Sequence, residues 1–329
     1  MTSSPVKTTP TFLIVGPGAI GGTLAVQLHR AGHSVEVVAR GAHLEAIREE
    51  GLELVAPDGR WTAPLVSHAR VSEATITTDT VVVLATKDHQ VEPVLDELLA
   101  HAGPGVEVAC THNGVEGERL ALRRFRNVHG VLINVPGVHL TPGRVEVYAA
   151  VPRGVLDIGR YPVGSDLTTR MIAAAFTQAQ FLSEACHDVM ARKWAKLLGN
   201  VGNSLQVLCG LDADIDPLHR VLRAEAEQVA AAAGVSVDQD TQSHRARLVA
   251  RAPIGGVARH GGSTWQSAVR GTGGVEVAML NGEICLLGRL HGVATPANEL
   301  IQTEVLALLA RGGAVGTHTV GALLDRIAG

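Results

Sequence analysis

The stretch Thr11–Arg40, TFLIVGPGAIGGTLAVQLHRAGHSVEVVAR, reads as a strand, a glycine turn, a helix and a second strand. Phe12 to Val15 is an apolar run too short for a helix and suited to a strand covered on both faces. Gly16, Gly18 and Gly21 then fit G-x-G-x-x-G, and Leu24, Ala25, Leu28 and Ala31 recur at helical spacing until Gly32 closes the segment. In such a turn the first glycine permits the sharp bend off the strand and the second lets backbone approach a pyrophosphate. The third removes a side chain where helix must touch strand. The helix start offers the anion free amide groups and the positive end of its dipole. Gly16, Gly18, Ala19, Ile20 and Gly21 are therefore read as dinucleotide-binding residues.

The second strand, Ser34 to Ala39, bears on which dinucleotide binds. A site for NAD places a carboxylate at the end of this strand for the ribose 2′-hydroxyl, whereas NADP needs a cation for the 2′-phosphate. Here the strand ends in Arg40, and its only carboxylate, Glu36, lies inside it. The expected cofactor is NADP(H). Two further strands carry polar residues to the edge of the sheet where ligands gather. Thr80 to Ala85 ends in Thr86, Lys87, Asp88, His89 and Gln90, of which Lys87 and Gln90 are well placed for cofactor or substrate. Val106 to Cys110 delivers Thr111, His112, Asn113 and Gly114, with Asn113 offering both a donor and an acceptor. His112 is a poor candidate for a proton donor, being one histidine of 15 with no positioned partner.

The 329 residues and 46% hydrophobic content suffice for two cores. A net charge of −4 without a basic block argues against nucleic acid or an acidic membrane as partner. No apolar run reaches the ~18 residues of a membrane span. Residues 1–10, polar and lacking an apolar core, read as a disordered leader. Cys110, Cys186, Cys209 and Cys285 are scattered without metal-binding spacing, which suits reduced thiols in a cytoplasmic protein and indicates no metal site.

Ala42 to Gly51 suggests a short helix, and Leu52 to Val71 alternates weakly like one or two strands. Val128 to Asn134 and Gly143 to Ile158 look like strands, and Thr168 to Ala179 like a helix. From Ser183 onward helical periodicity replaces strands, so residues 1–182 are expected to form an α/β Rossmann-type domain and residues 183–329 an all-α domain. The first helix of the latter, roughly Ser183 to Cys209, carries Lys196, Asn200 and Asn203 within about 60° of one another, with Ser204 at the margin. Trp194, Leu198, Val201 and Leu205 lie opposite. A lysine in line with amides suits a site wall, because hydride addition to a ketone builds charge on oxygen that a lysine can stabilise and protonate. Lys193 shares the face, and geometry leaves it open.

Together, GPGAIGG after a strand, Arg40, Lys87 with Gln90, Asn113-Gly114, Lys196 with Asn200, Arg270, Glu276 and Asn281-Gly282 resemble the ketopantoate reductase (2-dehydropantoate 2-reductase) family over nearly the whole chain. The resemblance implies NADPH-dependent reduction of a branched 2-keto acid to the 2-hydroxy acid, in a cleft between a Rossmann domain and a helical domain. It implies Lys196 as general acid, Glu276 as the group that orients it and binds the substrate hydroxyl, and Asn113 and Asn200 as substrate contacts. Gly16, Gly18, Gly21, Arg40, Lys87 and Gln90 would hold NADPH, with Asn113 near the nicotinamide. A homodimer is open on this reading.

Two positions depart from the family pattern. Ser204 stands where an asparagine is common, with Asn203 one place early, and Ala278 stands where an acidic residue is common. Thr264 takes the place of the usual serine, beside Ser263. Such shifts can keep the reaction while changing which keto acid fits. The rival readings are a 3-hydroxyacid-type dehydrogenase, disfavoured by Arg40 and the Glu276 to Gly282 segment, and a nucleotide-sensing protein without turnover. Gly271, Gly273 and Gly274 form a loop that introduces Glu276, and Ile254 to Gly262 is glycine-rich enough for part of a closing lid.

Overall fold

The structure, a computed structural model, describes residues 9–87, 90–259, 261–269 and 276–329. Asp88, His89, Arg270, Gly271, Gly273, Gly274 and most of the expected leader lie outside the described residues. Pro10, counted with that leader, is buried. The chain falls into two compact units. The first comprises Met1–His112, Glu116–Met190 and Ser243–Arg259, the second Asn113–Val115, Ala191–Gln242 and His260–Gly329. The single cut expected after residue 182 therefore differs from the folded arrangement, and buried charge is the reason. Asp157 is fully buried in a strand of the first unit, and its partner is Arg245, 88 residues later. A buried carboxylate without a partner is strongly destabilising, so the segment that carries the arginine returns to the first unit. A hydrogen bond from Ala252 N to Tyr148 O (3.0 Å) ties the same segment down.

The first unit contains β1 (Thr11–Val15), α1 (Ala19–Arg30), β2 (Val35–Val38), α2 (Gly41–Glu50), β3 (Leu52–Ala56), β4 (Gly59–Ala63), β5 (Val66–His68), β6 (Thr80–Leu84), α3 (Val91–Ala102), β7 (Glu107–Cys110), α4 (Glu116–Leu122), β8 (Asn127–Asn134), β9 (Gly137–Thr141), β10 (Arg144–Val147), β11 (Val155–Arg160) and α5 (Leu167–Gln178). A seven-stranded sheet runs β11-β8-β7-β6-β1-β2-β5, parallel except for β11. Strand alternation divides its core. Phe12 and Ile14 join Leu24 and Phe176 on the face covered by α1 and α5, while Leu13 and Val15 join Val94, Leu95 and Ala121 on the face covered by α3 and α4.

The weak alternation of residues 52–71 resolves into three strands. β5 extends the main sheet, whereas β3 and β4 join β10 and β9 in a second, four-stranded sheet. The expected strand from Gly143 to Ile158 is two, β10 and β11, in different sheets. Because β10 pairs in parallel with β3, far back in the chain, the local pattern of neither strand reveals the second sheet.

The second unit is built from helices: α6 (Val189–Asn200), which begins in the first unit, α7 (Leu205–Cys209), α8 (Asp216–Ala232), α9 (Gln239–Arg247), which ends there, α10 (Ser263–Val269), α11 (Asn281–His291), α12 (Pro296–Ala310) and α13 (Val320–Ala328). The long helix expected from Ser183 to Cys209 is broken after Asn200. Glycines at 199 and 202 weaken helix there, and a side chain at Gly202 would come within 2.6 Å of the His219 ring. No helix among the described residues is long and apolar enough to cross a membrane.

A buried polar network holds α8, α11 and α12 together. Glu225 on α8 accepts from Ala297 N (2.8 Å) and Asn298 N (3.0 Å), capping the start of α12. Asn298, fully buried, donates from Nδ2 to Glu225 (2.8 Å) and accepts from Asn281 Nδ2 (3.0 Å), which also reaches Val201 O (2.9 Å) at the end of α6. Glu225→Ala strips several of these groups of their acceptor at once. The expected loss is about 2–3 kcal/mol in urea unfolding, and a change below ~0.5 kcal/mol would show that water replaces the carboxylate at little cost.

Candidate active site

The strand order reverses at β1, which has β2 on one side and β6 on the other. Ligands of such sheets bind beyond the carboxyl ends of the strands at this switch point, and the glycine turn lies there. Gly16 N donates to Val38 O (3.0 Å) and Ala85 N to Val15 O (2.9 Å), so the turn is fastened to both neighbouring strand ends. Gly16 has φ +89°, which a side chain rarely tolerates. A Cβ on Gly21 would sit 2.4 Å from Gly16 O and 2.8 Å from Ala85 Cβ, the close helix–strand contact expected of the third glycine. A Cβ on Gly18 would meet His139 Nδ1 at 3.6 Å, an ordinary contact. Ala19 and Ile20 open α1 behind it.

This cradle suits a dinucleotide's phosphates, and Thr86 gives a second indication. Its buried Oγ1 has no hydrogen-bond partner among the described residues, and its Cγ2 lies 3.0 Å from the Cβ position of Gly16. Arg40, at the end of β2 and the start of α2, is exposed and without an ion pair among the described residues. Glu36, the strand's carboxylate, is held by His68 on β5 at 2.7 Å. Lys87 is half-buried and Gln90 exposed at the start of α3.

The second unit holds the lysine constellation. Lys196 Nζ donates to Asn113 Oδ1 at 2.6 Å, and Asn113 Nδ2 donates to Glu276 Oε2 at 3.1 Å. Each end group dictates the amide's orientation, because an ammonium can only donate and a carboxylate only accept. Glu276 thus reaches Lys196 through the Asn113 amide as well as by charge. Gly114 also serves this arrangement. A Cβ there would be 2.8 Å from Met279 O, so the close approach it permits is to the backbone following Glu276. Burial pushes the Lys196 ammonium down to about 8, against the opposing pull of Glu276, and Lys193 nearby lowers it further. Lys193 is itself buried. Its influence on Lys196 is by charge, a role that helical spacing alone left undetermined.

The remaining expected residues divide. Asn200 is half-buried in the last turn of α6, and its side-chain amide has no hydrogen bond among the described residues. Asn203 is off the helix face on which it was placed, because α6 ends at Asn200 and residues 201–204 form a turn. Ser204 and Thr264 are buried hydroxyls whose oxygens have no partner among the described residues, and α10, which carries Thr264, packs on α7, which Ser204 precedes. An orphaned buried hydroxyl costs about 1–3 kcal/mol, which a bound polar group would remove. Glu276 opens a 3-10 turn, Glu276–Met279, ahead of α11, and Ala278 on it is exposed. Asn281, noted only as part of a motif, is structural, since its amide holds the end of α6. Among the described residues no group of His, Cys, Asp and Glu could hold a metal ion.

The chain is similar to known proteins over most of its length. The family described as "Ketopantoate reductase PanE/ApbA" matches residues 12–162, and its C-terminal counterpart matches residues 188–308. A 2-dehydropantoate 2-reductase of Mesorhizobium japonicum is 30% identical over 331 residues, covering 91% of this chain and 96% of that protein. Among solved structures, a PanE/ApbA family ketopantoate reductase from Ralstonia eutropha has a TM-score of 0.78 at 23% identity, covering 92% of this chain and 99% of its own. A D-mandelate dehydrogenase with NADH and anilino(oxo)acetate has a TM-score of 0.79 at 19% identity, with coverage of 92% and 99%. The two family matches take in most of the chain, the glycine turn and the Lys196 helix among them, and this chain belongs to the ketopantoate reductase family of oxidoreductases.

Proposed function

We propose that this chain reduces a branched 2-keto acid, 2-dehydropantoate first among them, to the 2-hydroxy acid with NADPH, and that Lys196 is the general acid. The observation that carries the reading is the Lys196 ammonium, brought to about 8 by burial and joined to Glu276 through Asn113. An amine titrating there is largely protonated at neutral pH yet acidic enough to release its proton to a developing alkoxide. Bound NADPH supplies the hydride that the carbonyl carbon accepts. Lys196 supplies the proton to the oxygen, and before that its charge stabilises the negative charge building there. Asn113 holds the amine in place, and Glu276 fixes Asn113 while keeping Lys196 more basic than burial alone would leave it.

Asn200, Asn203, Ser204 and Thr264 are the proposed contacts for the substrate's carboxylate and hydroxyl. The unpartnered oxygens of Ser204 and Thr264 support this for the hydroxyl positions. Gly16, Gly18, Ala19, Ile20, Gly21, Lys87 and Gln90 are the proposed cofactor residues. The D-mandelate dehydrogenase was solved with NADH, so the shared fold leaves the dinucleotide open, and the choice of NADPH rests on Arg40, exposed and without an ion pair among the described residues. Four free thiols, three of them buried, support a reducing, cytoplasmic setting.

The test is a panel of 2-keto and 3-keto acids, each with NADPH and with NADH, followed by loss of reduced-nicotinamide absorbance. Branched 2-keto acids with NADPH should give the highest kcat/KM. Turnover confined to 3-keto acids would assign the other dehydrogenase reading, and tight NADPH binding without any turnover would assign the sensing role.

A further inference from the structure

The end of α6 leads into the residues proposed to contact substrate, and its backbone can be followed carbonyl by carbonyl. A helix C-terminus leaves its last carbonyls without partners inside the helix. Here Leu197 O accepts from Val201 N (3.1 Å), Asn200 O from Asn203 N (2.9 Å) and Gly202 O from Leu205 N (3.0 Å), all within the same stretch. Two more are met by side chains from other parts of the second unit. Val201 O accepts from Asn281 Nδ2 at 2.9 Å, and Gly199 O from His219 Nε2, on α8, at 3.1 Å. A carbonyl only accepts, so Nε2 of His219 carries its proton.

His219 does more than satisfy one carbonyl. Its Cδ2 lies 2.6 Å and its Nε2 3.1 Å from where a Cβ on Gly202 would be, so the ring is laid against bare backbone that any other residue would cover. One ring therefore holds both Gly199 in the last turn of α6 and Gly202 beyond it, across the point where the helix stops. The chain then restarts as α7 with Ser204 at its N-cap. A serine in that place ordinarily accepts from an amide two or three residues on. Ser204 makes no such bond, and its Oγ is fully buried and unpartnered among the described residues. Leaving a buried hydroxyl unpaired is costly, so the turn that does so must be held by bonds made elsewhere.

We propose that His219 is a positioning residue for the keto-acid site. By bonding Gly199 O and packing on Gly202 it ends α6 at Asn200 and fixes the turn that withholds the Ser204 hydroxyl from the backbone and keeps it for substrate. This rests on the reading of Ser204 as a substrate contact. Gly199 lies one turn beyond Lys196, whose amine is held separately by Asn113, so His219 governs binding of the keto acid and not proton transfer.

The experiment is steady-state kinetics with 2-dehydropantoate at saturating NADPH, with NADPH affinity and melting temperature measured on the same samples. His219→Ala should raise KM roughly 10-fold, with kcat and NADPH affinity within about twofold and the alkaline limb of kcat/KM unmoved. His219→Gln, whose amide nitrogen can stand where Nε2 does, should recover part of the loss. Gly202→Ala should also raise KM by displacing the ring, and its effect should shrink once His219 is alanine. Ser204→Ala should raise KM by itself, and in that background His219→Ala should add little. An unchanged KM in His219→Ala, with Ser204→Ala raising it, overturns the positioning role. Full additivity of those two changes overturns it as well, and so does a fall in kcat at constant KM with a lowered melting temperature. An unchanged KM in Ser204→Ala would instead remove Ser204 from the substrate site, and with it the reading on which the proposal rests. Absence of turnover by the unaltered protein would overturn the reductase reading itself.

Discussion

Lys196→Ala should lower kcat by roughly 10²-fold or more while leaving NADPH affinity close to that of the unaltered protein, since the variant loses both the proton and the charge at the carbonyl oxygen. The lost amine has no substitute among the groups bonded in its chain, because neither Asn113 nor Glu276 can supply a cation. Single-turnover kinetics read this directly. A variant that keeps more than about a third of its turnover would remove Lys196 from the chemistry.

The pH profile tests the same assignment in a way a structural role would not reproduce. A general acid must be protonated in the free enzyme, so kcat/KM for reduction should be level below pH about 8, the value to which burial brings Lys196, and should fall above it. The neighbours set where the fall begins. Lys193→Met removes a like charge and should move it to higher pH, whereas Glu276→Gln removes an opposite charge and should move it lower. An unchanged alkaline limb in both variants would assign that limb to another group.

Arg40→Asp is the second large expectation. The guanidinium at the end of β2 has no partner among the described residues to compensate its loss, and an aspartate there would repel a 2′-phosphate while accepting from a ribose 2′-hydroxyl. The ratio of kcat/KM for NADPH over NADH should fall by roughly 30- to 100-fold, most steeply at low ionic strength. Glu36 is engaged by His68 and supplies no carboxylate for the NAD-type contact in the unaltered protein. Should the ratio stay constant, recognition of the 2′-phosphate belongs to some other group.

The two ends of the site were unequally legible. The turn from Gly16 to Gly21 was readable because each glycine's reason lies within a few residues: a bend after a strand, a backbone bare of side chain, a helix touching that strand. The Lys196 helix was readable as a face but not in its extent. Extrapolating helical angle to Asn203 and Ser204 failed, since glycines 199 and 202 end the helix at Asn200 and the His219 ring occupies the space beside Gly202. Asn113 was singled out for its place after a strand, yet its role as the link between amine and carboxylate could not be seen from that place. Nor could the bond from His219 to the end of α6, which depends on where α8 packs in the folded chain.

Local order determined the strand–turn–helix, the helical character of the later chain and the residue types available for hydride chemistry, because strand and helix periods and glycine spacing act between near neighbours. Tertiary structure alone decided that Ser243–Arg259 returns to the first unit and that Lys196 titrates near 8. It also placed one amide between groups lying 83 and 163 residues away. Burial and charge pairing depend on what the fold brings into contact, and that information is held in no single stretch of the sequence.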